Sequence, residues 1–200
     1  MKITVIIIIA LLIFMLIAQV YISKSTNRTE QHAYTVIKKF EQFEIRKYEP
    51  AIFSSIKLGK KSYSESSSNG FRILAGYIFG GNEKNESIAM TSPVTMELGD
   101  STTMKFMVPK GYSMNTLPKP NNSDITFEEQ KEKIIAAIQF DGWANNDKIE
   151  YYTSILKDEL AKAHINHTNK FSYLGYNPPY EITNRRNEII VEIINDQISR

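Results

Sequence analysis

Residues 174–193 read LGYNPPYEITNRRNEIIVEI, and the path of the chain through them decides the fold. Pro178 and Pro179 lack amide donors and hold φ at about −65°, so neither sits inside a central strand. The run NEIIVEI that follows is β-rich and bounded by the turn-forming Asn184. The stretch therefore reads as strand, rigid turn and returning strand, with Arg185 and Arg186 placed as the chain leaves the turn.

Working upstream, NDKIEYYTSILKDELAKAHI is a helix, with Ile149, Tyr152, Leu156, Leu160 and Ala163 on one stripe and Asn146 as the expected N-cap. Before it, ITFEEQKEKIIAAIQFDG is extended and stops at Asp141-Gly142. The same order occurs earlier in the chain. AIFSSIKL is strand-like, and YSESSSNGFRILAGYIFGGN holds a helix with Phe71, Leu74, Ala75 and Ile78 at i, i+3, i+4 and i+7, stopped by Gly80-Gly81. SIAMTSPVTMEL and TMKFMVP then read as strands separated by the turn-prone GDST. Each half is thus strand–helix–strand–strand. Pro93 and Pro178 stand 85 residues apart, as do Phe106 and Val191, so NPPY reads as the second copy of the turn made by SPV. The expectation is an α+β fold: a curved antiparallel sheet or distorted barrel built from two such halves, each with a helix.

The N-terminal run ITVIIIIALLIFMLIA is apolar apart from Thr4, and Val20, Tyr21 and Ile22 extend it past Gln19. About 20 such residues at a 1.5 Å rise cover a bilayer core of roughly 30 Å. Residues 1–22 are therefore expected to be a transmembrane anchor or a signal segment, 23–33 a polar linker, and 34–195 the globular domain. A two-residue flank before the run is most simply retained in the cytoplasm, so the expectation is a single-pass membrane protein with its domain on the extracytoplasmic side.

Composition narrows the chemistry. With no cysteine, thiolate metal sites, disulfides and cysteine nucleophiles are excluded. A net charge of +2 without a long Lys/Arg block argues against nucleic-acid binding. No G-x-S-x-G, H-E-x-x-H or glycine-rich phosphate loop occurs, so a binding protein is expected rather than an enzyme. Of the histidines, His32 falls in the linker, while His164 and His167 close the second helix, where dipole contacts are commoner than metal ligation.

Five motifs in order carry a resemblance to a known family. E-I-R-x-Y at residues 44–48 is followed by L-x-x-Y-I-x-G-x-N at 74–82 and I-x-M-T-x-P-V at 88–94. P-K-G-Y stands at 109–112 and R-R-N-E-I at 185–189. Together they resemble the SOUL haem-binding family across Tyr34 to Ile193. The resemblance implies a barrel-like sheet with two helices and a hydrophobic cleft holding haem or another tetrapyrrole, for transport or buffering. On that footing Phe71, Leu74, Ala75, Ile78 and Met90 are expected to line the cleft, and Arg185 to meet a propionate. The plainer reading of these residues is core packing for the apolar ones and ion pairing with Glu188, Glu44 or Glu181 for the arginines. Some family members have been proposed to ligate iron through a histidine just after E-I-R-x-Y; here that place reads Tyr48-Glu49-Pro50, and no axial histidine is identified. The same two-unit barrel also resembles effector-binding domains, some of them hydrolytic; an enzyme of that kind would need a cleft carboxylate such as Glu97 or Glu192.

Overall fold

The computed structural model describes residues 2–59, 62–99 and 101–194; the expected domain end at 195 lies outside the described residues. An N-terminal helix α1 (Lys2–Arg28) leads into β1 (Glu30–Gln31), β2 (Tyr34–Lys39), β3 (Glu44–Tyr48) and β4 (Ala51–Gly59). Helix α2 (Tyr63–Ile78) precedes β5 (Thr91–Ser92), β6 (Val94–Glu97), β7 (Thr102–Met107) and β8 (Ile125–Gln130). Then come β9 (Lys133–Asp141), α3 (Asn146–Lys162), β10 (His167–Gly175) and β11 (Arg186–Ile193).

Nine strands form one antiparallel sheet in the order β2-β3-β9-β11-β10-β6-β7-β4-β8. The order is nearly palindromic about the β10–β6 pair, where Tyr173 faces Met96. From that centre outward, β10, β11, β9 and β3 match β6, β7, β4 and β8. The two expected halves are therefore present, but each lends its leading strand to the other. β3 pairs with β9 rather than β4, and β8 pairs with β4 rather than β9. This exchange ties the halves into one unit.

Register corrects one sequence expectation. Phe106 pairs with Ser54, the fourth residue of β4, and Val191 pairs with Ala136, the fourth of β9, so these two do correspond. Pro93 and Pro178 do not. Pro93 directly precedes β6, whereas Pro178 follows β10, the strand equivalent to β6. The connection that matches NPPY is the short β6–β7 turn, which contains no proline.

Both helices pack on the same sheet face. Alternation along β9 separates the sides: Ala136, Ile138 and Phe140 join the helix-side core, whereas Ile135 and Ala137 join a second cluster with Tyr48, Leu174, Tyr176 and Ile190 on the opposite face. On α3 the expected stripe holds, with Ile149, Leu156 and Leu160 buried and Tyr152 stacked on Phe140 at 4.5 Å. The cap lies one residue earlier than expected, at Asn145, whose side chain accepts from the Lys148 amide at 2.8 Å. Past the C-terminus of α2, Gly80 adopts φ +104°, and a Cβ on Gly81 would stand 2.5 Å from the Gly76 carbonyl oxygen. The helix exit therefore depends on both glycines.

Helix α1 is apolar and, at 27 residues, about 40 Å long, enough by length and composition to cross a membrane. The stretch expected to be a linker is ordered instead. Residues 23–28 continue α1, and Glu30 and Gln31 pair in parallel with Thr91 and Ser92 of β5.

Candidate functional site

The family motifs divide into those that build the fold and those that border an opening. Glu188 is fully buried on the sheet face away from the helices, where its carboxylate meets Arg46 Nη1 at 2.8 Å and Arg186 Nη2 at 2.6 Å. The Tyr176 hydroxyl donates to it at 2.9 Å, and Arg46 Nε donates to Glu44 at 2.9 Å. Arg46 and Arg186 also lie 4.4 and 4.0 Å over the rings of Tyr34 and Tyr176. Two carboxylates and two guanidiniums thus cancel within one shielded cluster, satisfying groups that would be costly to bury singly. Burial, with the nearby Glu188 charge, pushes the Tyr48 hydroxyl up to about 12. E-I-R-x-Y and the end of R-R-N-E-I are therefore two sides of one structural lock.

Arg185 serves the turn itself. Its Nη1 donates to the carbonyls of Pro178, at 2.8 Å, and Glu181, and its guanidinium stacks on Trp143 at 4.0 Å. The guanidinium expected to meet a propionate is thus engaged by backbone, because the proline turn directs three carbonyls at it, Asn177 supplying the third. The pairing of Arg186 with Glu188 follows the plainer alternative.

The expected cleft between α2 and the sheet is filled. Leu74, Ala75 and Ile78 are buried in the helix-side core, and Met90 packs against it. Phe71 sits at the edge, more than a third exposed, with its ring 5.4 Å from that of Phe106. The cause is Gly70, which lets the helix settle close: a Cβ there would stand 2.6 Å from Leu58 Cδ1 and 3.1 Å from Met104 Sδ. These residues are core rather than the walls of an open slot.

The sheet face away from the helices holds a cavity of only about 30 Å³, room for a water or so. Lys105, Lys133, Glu97 and Gln130 contribute to its lining. Glu97, one of the carboxylates considered for hydrolysis, is paired with Lys105 at 2.6 Å, and Glu192 is exposed.

A larger groove, of about 350 Å³, opens where β4 begins and β7 ends. Its walls include Pro50, Ile52, Met107, Val108 and Pro109, with Lys110, Tyr112 and Glu49 among the polar lining. Glu49 and Pro50, directly after E-I-R-x-Y, meet Pro109, Lys110 and Tyr112 of the P-K-G-Y loop here. His32 lines both this groove and the small cavity. The β1–β5 pairing carries it there, and its amide donates to the Ser92 carbonyl at 3.2 Å. Its ring packs 4.8 Å from Tyr48 and 5.4 Å from Phe53. Nε2 lies 2.7 Å from the Glu49 carbonyl oxygen, which only accepts, so Nε2 carries the proton. Burial lowers the imidazole below its usual value, only partly offset by that carbonyl, so the ring is neutral at pH 7 and its Nδ1 keeps a lone pair. Histidines that ligate metals commonly donate their other ring N–H to such a carbonyl. The linker reading of His32 is thereby corrected. The place after E-I-R-x-Y that lacks a histidine in sequence has one beside it in space. His164 and His167 do not form a pair. His164 leaves the helix at φ +54°, and His167 opens β10 with its Nδ1 accepting from the Asn169 amide at 3.0 Å.

A two-unit antiparallel sheet with α2 and α3 on one face, and a groove where β4 begins and β7 ends, defines a class of α+β domain. Within that class the chain belongs to the SOUL heme-binding protein family, whose sequence profile matches residues 29–192. It is 31% identical over 159 residues to Heme-binding protein 2 of Homo sapiens, covering 74% of this chain and 76% of that protein. It is 28% identical over 155 residues to Heme-binding protein 1 of Xenopus laevis, covering 74% and 81%. Among solved structures, the EcmrR C-terminal domain superposes with a TM-score of 0.60 at 11% identity, over 76% of this chain and 97% of that one, a likeness of fold alone.

Proposed function

We propose that this protein binds haem or a related tetrapyrrole in the groove beside His32, holding it for transport or buffering. The observation that carries the reading is a carbonyl-oriented imidazole lining a 350 Å³, largely apolar groove between the residues that follow E-I-R-x-Y and the P-K-G-Y loop. Its volume lies within the roughly 300–1,000 Å³ of ligand sites. The donors present suit the group. Pro50, Ile52, Met107, Val108 and Pro109 receive the macrocycle's apolar area, Lys110, exposed and paired with Glu49 at 3.3 Å, offers a cation to a propionate, and the His32 imidazole offers a ligand to iron. When bound, haem would supply the coordination chemistry; the chain's own part is to shield one face and fix the ring.

The domain is read as a binder rather than an enzyme, since Glu97 is held in an ion pair with Lys105, which also pairs with Glu128, and Glu192 faces solvent. Helix α1, strongly apolar and exposed from Lys2 to Ile17, is read as a single-pass anchor that leaves the domain on the extracytoplasmic side.

The test is titration of ferric haem into the full chain in detergent micelles, following the Soret band against micelles alone. A shifted band saturating at one haem per chain is expected, with affinity reduced about tenfold or more in His32→Ala. A free-haem spectrum at ten-fold protein excess would overturn the proposal.

A further inference from the structure

The proline turn makes a second kind of contact, with the apolar helix. Along α1 the residues up to Ile17 are exposed, but Ala18, Gln19, Ile22, Ser23 and Thr26 share a half-buried face at helical spacing. Gln19, an amide within an otherwise apolar run, forms a two-bond bridge to the turn: its Nε2 donates to the Tyr180 carbonyl, and its Oε1 accepts from the Ile182 amide, both at 3.2 Å. Farther along, Thr26 donates to Glu181 at 2.7 Å, and Asn177 donates to the same carboxylate oxygen at 2.9 Å.

These bonds set the direction of each turn residue. Glu181 points inward and is 1% exposed, while Tyr180 and Ile182 on either side point outward at 64% and 52%. Trp143, 52% exposed, stands beside them under the Arg185 guanidinium. Gln19 lies three residues before the apolar run ends at Ile22, which is about 4.5 Å along the helix axis. If α1 crosses a bilayer, the bridge is at the boundary between acyl chains and headgroups. A tyrosine, a tryptophan and an isoleucine exposed there match the amphipathic side chains that favour this layer.

We infer that the 177–185 turn, together with Trp143, is a membrane-seating surface whose exposed side chains lodge in the interfacial layer of the bilayer that α1 crosses. The Gln19 bridge fixes the domain's tilt against that layer. This inference rests on the anchor reading of α1.

Trp143 is the only tryptophan of the chain and so reports its own surroundings. The full chain is reconstituted into phosphatidylcholine vesicles, and its co-flotation with lipid is recorded separately from its fluorescence. In floated protein, lipids brominated near the headgroup should quench Trp143 at least about twofold more than lipids brominated near the bilayer centre. Gln19→Leu keeps the run apolar, so that variant should still float while losing about half of the shallow quenching. The double substitution Tyr180→Ser with Ile182→Ser, which leaves the bridge in place, should likewise float with reduced shallow quenching. Floated protein whose Trp143 is quenched by aqueous iodide and indifferent to brominated lipid would overturn the seating surface while leaving the anchor intact. Unchanged quenching in Gln19→Leu would overturn the role of the bridge. Failure of the parent chain to float would overturn the anchor reading and this inference with it.

Discussion

Replacing Glu188 with Gln tests the lock that joins the two halves. The side chain is fully buried, and its carboxylate is held by Arg46, Arg186 and the Tyr176 hydroxyl. Glutamine keeps the shape but removes the charge, leaving Arg46, itself 3% exposed, with Glu44 as its remaining carboxylate partner. Removing one partner of a buried pair costs about 3–5 kcal/mol. For a domain of this size each kcal/mol lowers Tm by about 2–4 °C, so a fall of about 6–20 °C is expected. The assay is thermal unfolding of the full chain in micelles, followed by near-ultraviolet circular dichroism. Arg46→Gln should be destabilising as well, and the double variant should show a coupling of about 2 kcal/mol because both substitutions break the same contact. A fall below about 3 °C, or strict additivity, would refute the argument that this cluster holds the halves together.

Other outcomes follow from the same geometry. Burial lowers the His32 pKa, so its contribution to stability is complete above its unfolded value of about 6.5 and is lost as pH falls through the lower folded value. Protonation also removes the Nδ1 lone pair, so haem affinity should be level from pH 7 to 8 and fall on acidification, and Soret titrations of His32→Ala should lack that fall. Gly81→Ala places a Cβ 2.5 Å from the Gly76 carbonyl oxygen and should cost about 1–3 kcal/mol in chemical denaturation. Gly76→Ala, within α2, meets nothing within 4 Å outside the helix's own backbone and should instead stabilise by about 0.5–1 kcal/mol.

Much of this architecture was legible before any coordinates. The stripe on α3 and the strand–helix–strand–strand order of each half rest on local periodicity, and local periodicity survives folding. The exchange of leading strands was not legible, because β3 and β9 lie far apart in the chain and no local signal records which edge a strand joins. The correspondence of Pro93 with Pro178 failed because residue spacing ignores the different lengths of the β6–β7 and β10–β11 connections. At α2 the apolar stripe identified the buried face, but Gly70 decides that this face closes on the sheet instead of leaving a slot. His32 was hidden by its surroundings: a polar stretch with no period becomes ordered through the two-residue pairing of β1 with β5, a contact of backbone rather than pattern. For the arginines of R-R-N-E-I, pairing with Glu188 was legible as the plainer alternative and holds for Arg186, but the turn carbonyls that engage Arg185 appear only once the turn is formed.

Locating the ligand tests the account most directly, and the paramagnetism of ferric haem allows it. Amide resonances of the full chain in micelles are recorded as haem is added, and broadening is read residue by residue. The account predicts that Ala33, Ile52, Val108 and Tyr112, around the groove, broaden first while Leu74 and Ile78 in the packed core keep their intensity. Broadening centred on α2, with the His32 groove unaffected, would contradict it.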